Sequence, residues 1–340
     1  MTTEFKNKKI LITGGSGSIG SAIARELLKH QPRQIRLFSH DMTRQSELSQ
    51  QFGHHPSIRF LVGDIRDEDR LDMAMENIDI VFHTAALKHV DACERNPFEA
   101  IKTNVQGTQN VIDCALENNV KKVISISTDK AIEPTSVMGC TKLLAEKLIR
   151  ATFLYGGDKK TKFCSVRFGN VLGSYGSVVP LLLQQVKNGK PLTITDPEMT
   201  RFFISISQAV NLLFKATTLM RGGEIFVLKM PSANLKDLIQ AIGEVAIERK
   251  YTKKVNTKVI GRKEGEKMHE KLLAVEEPES TLETEDMFII LPTIVGGIEE
   301  FKHYLYPGAK KTAAINYNSQ DQRKLTLNDL KKLINDTLDH

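Results

Sequence analysis

The chain has 340 residues, with 47 Lys and Arg against 41 Asp and Glu, and its formal charge of +6 is scattered rather than gathered into a basic stripe with interleaved aromatics. That distribution argues against a nucleic-acid partner and fits a soluble protein or one that takes a polyanionic small molecule. Met1 to Lys9 is polar, no apolar run reaches membrane-spanning length, and Cys93, Cys114, Cys140 and Cys164 show no C-x-x-C spacing, so a cytoplasmic protein with reduced thiols and no membrane span is expected.

The first third alternates strand and helix patterns. Lys9-Ile10-Leu11-Ile12 is a short apolar run that opens into Thr13-Gly14-Gly15-Ser16-Gly17-Ser18-Ile19-Gly20, after which Ile19, Ile23, Leu27 and Leu28 recur at helical spacing. The segment reads as strand, glycine turn, helix. Glycines at that place permit the tight turn and let the backbone approach a pyrophosphate drawn to the helix N-terminus. Gly15 and Gly20 also have the spacing of a P-loop, but that motif needs Lys and then Ser or Thr after the second glycine, where Ser21-Ala22 stand. Gly14, Ser16, Gly17, Ser18, Ile19 and Gly20 are therefore candidates for a dinucleotide cradle.

Further strands are predicted at Ile35–Phe38, Ile58–Val62, Ile80–Phe82, Val123–Ile126 and Phe163–Val166, with helical patterns between them. Repeated units of this kind predict an α/β protein, a Rossmann-like doubly wound parallel sheet with ligands at the carboxyl ends of its strands. The expected division is a dinucleotide domain over 1–168, resumed around 203–230. A smaller C-terminal substrate-binding lobe takes 169–202 and 231–312, and 313–340 forms a tail. The amphipathic stretch Leu325 to Leu338 in that tail is expected to dock on a neighbouring subunit.

The tip of the second strand bears on cofactor choice. An acid there holds the ribose 2′-hydroxyl of NAD, whereas small polar and cationic groups suit the 2′-phosphate of NADP. Ser39 is at the tip, with His40 and Arg44 following, which favours NADP; the alternative gives Asp41 the ribose and selects NAD. Asp64 and Ile65 after the third strand are placed to line an adenine ring, and Ala85, Ala86 and Lys88 after the fourth to border the cofactor's middle. His54-His55 and His269-Glu270 lack zinc spacing, so no metal is expected. Ser127 has no nucleophile-elbow context, which argues against a hydrolase.

Several segments together resemble extended short-chain dehydrogenases that act on UDP-N-acetylglucosamine. They are Phe82-His83-Thr84-Ala85-Ala86-Leu87-Lys88-His89-Val90, Asn96 to Val105, Ser127-Thr128-Asp129-Lys130-Ala131, Val166-Arg167-Phe168-Gly169-Asn170-Val171 and Thr195-Asp196-Pro197-Glu198-Met199-Thr200-Arg201-Phe202. Where such enzymes carry Tyr-x-x-x-Lys, this chain has Met138-Gly139-Cys140-Thr141-Lys142. Met at that position resembles the capsule-type branch, the inverting 4,6-dehydratases that also epimerise C5, and some retaining 4,6-dehydratases share it. His40 departs from the family, whose members often have Arg there.

The resemblance implies a lyase that dehydrates UDP-N-acetylglucosamine for glycan synthesis and works as a homo-oligomer. A retaining 4,6-dehydratase, a C4-epimerase and an inactive NADP- or nucleotide-sugar-binding protein are the alternatives. It assigns Lys130 as the base for the C5 proton, Asp129 as the acid for the departing C6 hydroxyl, Thr128 as a partner of the C4 oxygen, and Lys142, with Asn104, as a cofactor contact. Met138 has no proton to move and is expected to pack. For these roles Lys130 must titrate well below the reference for lysine of about 10.4 and Asp129 above about 3.9. For the substrate, the resemblance implies Lys88, Asn170, Ser177, Val178 and Thr195, with Arg201 and Arg262 for the diphosphate and Glu266 for the uridine ribose.

Overall fold

A computed structural model describes residues 3–155, 160–292, 306–313 and 316–338. In chain order the first half holds β1 (Lys9–Thr13), α1 (Ser18–Leu28), β2 (Gln34–Ser39), α2 (Met42–Gln51), β3 (Ile58–Val62), α3 (Glu68–Met75), β4 (Ile80–His83), α4 (Val90–Arg95) and α5 (Pro97–Ile101). A π-helical turn over Lys102–Gln106 leads into α6 (Gly107–Glu117), then β5 (Lys122–Thr128), α7 (Val137–Tyr155) and β6 (Lys162–Phe168). The second half holds β7 (Asn170–Val171), α8 (Val178–Lys187), β8 (Leu192–Ile194), β9 (Thr200–Ile204), α9 (Ile206–Leu219), β10 (Ile225–Leu228), β11 (Ser232–Asn234) and α10 (Leu235–Glu248). It ends with β12 (Thr257–Val259), β13 (Thr281–Glu283), β14 (Met287–Ile290), β15 (Lys310–Lys311) and α11 (Leu327–Leu338).

The local chemistry explains many of these boundaries. Asp41 and Asp67 begin α2 and α3 by accepting hydrogen bonds from the backbone N–H groups of Arg44 and Arg70, each at 3.0 Å. Ser205 and Gln208 form a reciprocal capping box at the start of α9. β4 is buried at all four residues and β1 at four of five, because helices cover both faces of the sheet, and their sequences accordingly run apolar without alternation.

The main sheet runs β3-β2-β1-β4-β5-β6-β10-β14-β13-β15, parallel from β3 to β10 and antiparallel beyond. The first five strands predicted after β1 all appear within a residue or two of their expected ends, in the doubly wound order with its switch point between β1 and β4. One boundary differs. Residues 281–290 and 310–311, expected in the substrate lobe, extend the Rossmann sheet instead, with β14 pairing β10 from Ile225↔Ile290 to Leu228↔Met287. All four residues of β14 are buried, so the strand needs cover on both faces, and pairing with β10 in the main sheet provides it.

A second core lies apart from the sheet, built around Leu182 and Leu183 of α8, Leu238, Ile242 and Val245 of α10, and Leu330 and Ile334 of α11. Two small sheets, β11-β9-β7 and β12-β8, accompany it. The amphipathic tail thus differs from expectation. α11 packs its apolar stripe on α10 of its own chain, with Leu330 and Ile334 fully buried, and Arg249 Nε donates to Asn335 Oδ1 at 2.9 Å across that contact. A stripe already covered is not free to meet a neighbour.

β6 carries the largest of the fully buried side chains, Arg167. Its guanidinium forks to Glu146 of α7 at 3.0 and 2.7 Å and to Glu277 at 2.9 and 3.0 Å, and donates to the carbonyl of Leu272 at 2.9 Å. One cation thereby ties the sheet, a covering helix and the segment from 270 to 277. Removing one partner of such a group strands the other in a low dielectric, at a cost of about 3–5 kcal/mol. Arg167→Met is therefore expected to lose about that much stability in urea unfolding; a midpoint unchanged from the parent would contradict the assignment.

Candidate active site

A cavity of about 860 Å³ runs across the carboxyl ends of the central strands, at the switch point between β1 and β4. The glycine turn forms one wall. Gly14 has φ +66°, and a Cβ there would lie 2.8 Å from the backbone of Ala85; a Cβ on Gly20 would lie 2.6 Å from Gly14 O. Only glycine lets β1, the turn and the β4 loop close to this distance. No side chain caps α1 at Gly17, so its first amides are left for an anionic ligand. Ser16, Ser18 and Ile19 line the same wall.

At the tip of β2, Ser39 Oγ lies 2.7 Å from Ser16 Oγ, and His40 and Arg44 line the cavity beside it. Asp41 is occupied: it caps α2 and pairs with Arg44 Nε at 3.3 Å. Arg44 lies 3.7 Å from the ring centroid of Tyr175, whose N–H donates to Ser18 Oγ at 2.8 Å. Asp64, Ile65, Ala85, Ala86 and Lys88 line the cavity as expected from sequence, Asp64 with Arg66 as its partner at 2.6 Å. Asn104 does not. It is buried behind the wall, where it accepts from Leu87 N–H at 2.8 Å and donates to Leu87 O at 2.9 Å and Thr141 Oγ1 at 3.0 Å. It shapes the β4 loop from within the π-helical turn, an irregularity often found beside functional sites.

The catalytic candidates sit where β5 ends. A 3-10 turn over Asp129–Ala131 sends Lys130 into the cavity and Asp129 beneath its floor. Lys130 Nζ donates to Asp129 Oδ1 at 2.9 Å and to Asn170 Oδ1 at 3.2 Å, and lies 3.6 Å from Glu270 Oε1. Thr128 Oγ1 donates to the same Asp129 oxygen at 2.9 Å. Asp129 is fully buried, and its Oδ2 has no hydrogen-bond partner among the described residues. Asp129, expected at the cavity with the other two, differs: Thr128 and Lys130 line the cavity and Asp129 lies behind them.

The charge of Lys130 also departs from expectation. Burial pushes the ammonium down, but Asp129 and Glu270 outweigh it and hold Lys130 above the ordinary lysine range. Lys142, one turn after Met138, goes the other way. Burial brings it to about 8, with Nζ donating to Ile126 O at 2.6 Å. Met138 is buried and lines the cavity beside it, without a proton to move.

Asn170, Ser177 and Val178 line the opposite wall. Ser177 precedes α8 without capping it, and its buried Oγ has no partner, like that of Ser127 in the same cavity. Two orphaned hydroxyls and two helix N-termini facing one cavity fit a ligand with two groups of phosphates. Lys88 Nζ reaches across to Tyr175 O at 2.7 Å and Ser174 Oγ at 3.4 Å. Tyr175 escaped the sequence reading. Its signal is the flanking pair Gly173 and Gly176, which turn the loop with φ of +76° and +70°.

Thr195, Arg201, Arg262 and Glu266 stand outside the cavity wall. Thr195 Oγ1 turns to Met199 Sδ at 3.4 Å. Arg201 donates to Thr200 O at 2.8 Å and Met268 O at 3.1 Å, and faces Glu270 at 3.8 Å. Arg262 is exposed and 3.9 Å from Asp196, and Glu266 accepts from Lys263 N–H at 3.1 Å. Glu270, with Oε1 3.6 Å from Lys130 Nζ, carries no sequence signal beyond its place beside His269.

Residues 10–292 match the family of polysaccharide biosynthesis proteins. The chain belongs to this family. Within it the chain is an extended short-chain dehydrogenase/reductase of the nucleotide-sugar dehydratase and epimerase kind. Among its relatives is a Campylobacter jejuni protein named UDP-N-acetylglucosamine 4,6-dehydratase (inverting), 43% identical over 85% of this chain and 84% of its own. A Methanocaldococcus jannaschii protein named an uncharacterized membrane protein is 49% identical over 97% of this chain and 96% of its own; no helix among the described residues here is long and apolar enough to cross a membrane. The X-ray structure of Pen from Bacillus thuringiensis superposes with a TM-score of 0.90 at 43% identity, covering 98% of each chain.

Lys142 yields a stability test. Its folded value of about 8 lies below the usual 10.5, so between the two the unfolded chain binds more protons and stability rises with pH. The stability difference between parent and Lys142→Met should therefore move in the parent's favour by on the order of 3 kcal/mol from pH 8 to 10.5. A difference that stays flat across that window in denaturant titrations would contradict the assignment.

Proposed function

We propose that this family member is an NADP-dependent inverting UDP-N-acetylglucosamine 4,6-dehydratase, which also epimerises C5, acting in the synthesis of a surface polysaccharide or other glycan precursor. The observation that carries this reading is the Lys130–Asp129 pair, 2.9 Å apart at the cavity wall, with Met138 where a proton-transferring phenol would stand. The glycine turn and the open N-terminus of α1 would hold the cofactor's pyrophosphate, and Ser16, Ser39 and Arg44 its 2′-phosphate. Lys142 would hold the nicotinamide ribose. Asn170 and the N-terminus of α8 at Ser177 and Val178 fit the UDP-sugar.

The nicotinamide of a cofactor held by the glycine turn and Lys142 would supply reversible hydride exchange with C4 and C6. Loss of hydride from C4 together with the C4 hydroxyl proton, which leaves to solvent, would give a 4-ketone that acidifies the C5 proton, and solvent returns one proton to C5 at the end of the cycle. At rest Lys130 is an ammonium and Asp129 a carboxylate. Moving one proton across their 2.9 Å contact gives an amine that can accept the C5 proton and a carboxylic acid that can supply one to the departing C6 hydroxyl. Because Asp129 is closed off from the cavity, Thr128 Oγ1, already bonded to its Oδ1, is the relay to the sugar. Water leaves, and a proton returned to C5 from the opposite face inverts that centre.

A C4-epimerase is the second reading, favoured by relatives such as the Rickettsia canadensis protein named UDP-glucose 4-epimerase, 38% identical over 97% of this chain and 96% of its own. Reversible oxidation at C4 has no use for an acid–base pair at C5 and C6, so the Lys130–Asp129 contact weighs against it. Exposed Phe98 and Ile101 on α5 and Leu144 on the adjoining α7 support a homo-oligomer.

Incubation with UDP-N-acetylglucosamine in heavy water should yield a dehydrated 4-keto product carrying deuterium at C5. Asp129→Asn and Lys130→Ala should each lower kcat at least about a hundredfold. A C4 epimer of unchanged mass would establish the second reading, and absence of turnover a binding protein. For the cofactor, Arg44→Ala should weaken NADP about tenfold, roughly 1.4 kcal/mol, with little change for NAD; equal losses for both would assign the site to NAD.

A further inference from the structure

Behind Lys130 lies a second carboxylate that the reaction as described does not use. Glu270 is 3% exposed, with Oε1 3.6 Å from Lys130 Nζ and 3.8 Å from Arg201 Nε. Its Oε2 is buried without a hydrogen-bond partner, 3.8 Å from Lys267 Nζ. Burying a carboxylate oxygen without a hydrogen bond is costly, and a purely structural salt bridge would have closed around it.

The backbone carrying Glu270 is fixed by the C-terminal segment. Glu270 N–H donates to Ser319 Oγ at 2.9 Å and Ser319 N–H to Glu270 O at 2.8 Å, while Leu272 N–H donates to Tyr317 O at 2.9 Å. Ser319 is fully buried, and its Oγ also lies 2.6 Å from Thr200 Oγ1 on β9. Tyr317 is anchored in turn: its hydroxyl accepts from Met230 N–H at 2.9 Å and its ring stacks on Phe202 at 5.6 Å. From the other side Arg167 holds Leu272 O. Five elements distant in sequence thus converge to set one carboxylate behind one ammonium.

We propose that Glu270 is a positioning residue for Lys130, held against its Nζ by the clamp Tyr317–Ser319, so that the C-terminal segment completes the active site and sets how readily Lys130 releases its proton. The proposal deepens the reading of Lys130 as the C5 base and rests on it. The charged groups facing Lys130 are Asp129 on its own turn, Glu270 from the clamped segment and Arg201 from β9, with Lys267 facing Glu270. Glu270 and Asp129 favour the ammonium and Arg201 opposes it. With two carboxylates, the ammonium is the resting form, and Lys130 yields its proton only when the bound reactants shift that balance.

Trace acetylation of the full-length protein with its bound cofactor, followed by peptide mass spectrometry, reads the half-labelling pH of Lys130 directly, and Lys142 in the same sample serves as control. In Glu270→Gln the half-labelling pH of Lys130 should fall by about one pH unit with Lys142 unmoved, and the acidic limb of the pH–rate profile should move the same way. Should Glu270→Gln not fold, Glu270→Asp, which keeps the charge but withdraws it by one methylene, should give a smaller fall. An unchanged half-labelling pH in a folded variant would overturn the proposal. A fall in a protein whose parent does not turn over UDP-N-acetylglucosamine would leave the Glu270–Lys130 linkage standing and remove the dehydratase reading instead.

Discussion

The site depends on a carboxylate that cannot reach water. Asp129 is sealed beneath the cavity floor with one oxygen bonded to both Lys130 and Thr128 and the other to nothing among the described residues. In that surrounding the proton shared by Asp129 and Lys130 is governed by their mutual distance, by Glu270 and by whatever charge enters the cavity, and hardly by bulk solvent. A buried ion pair is a poor source of stability, since desolvation offsets the attraction. As a reservoir from which an acid and a base can be drawn together it is well suited, which is the role proposed for it in a site where Met138 has no proton to give.

The architecture serves that pair at several levels. The doubly wound sheet brings the glycine turn, the β4 loop and the end of β5 to one edge, so the glycine turn and Lys130 line a single cavity with Asp129 behind. The second lobe supplies the opposite wall through Asn170, Ser177 and Val178, and Tyr175 bridges the two by meeting Ser18, Arg44 and Lys88. Arg167 and Tyr317 then grip the strip that carries Glu270 from two sides. Substitutions far from the cavity along this strip are expected to act through the geometry at Lys130.

Much of this was legible in the sequence because it is local. The glycine turn and the strand apolar runs announce themselves by composition within a few residues, the short segment from Thr128 to Lys130 by its resemblance to a family motif, and the structure puts them at one strand edge. What was not legible is what depends on partners far along the chain. β14 reads as any apolar run until β10 offers it an edge, and α11 reads as a free amphipathic helix until α10 covers it. Asn104, in a motif rich in functional residues, turns out to brace Leu87 from behind. Glu270 sits only four residues after Glu266, yet the fold gives the first to Lys130 and leaves the second on the far side of the wall.

The most direct measurement of the central claim is the protonation of Asp129 itself. Isotope-edited infrared difference spectra, parent minus Asp129→Asn, should show a carboxylate band in the resting protein and a protonated carboxyl C=O band when oxidised cofactor and UDP-N-acetylglucosamine are bound together. If Asp129 stays ionised in a complex that is turning over, proton transfer between Asp129 and Lys130 is not how the protein generates its acid and base.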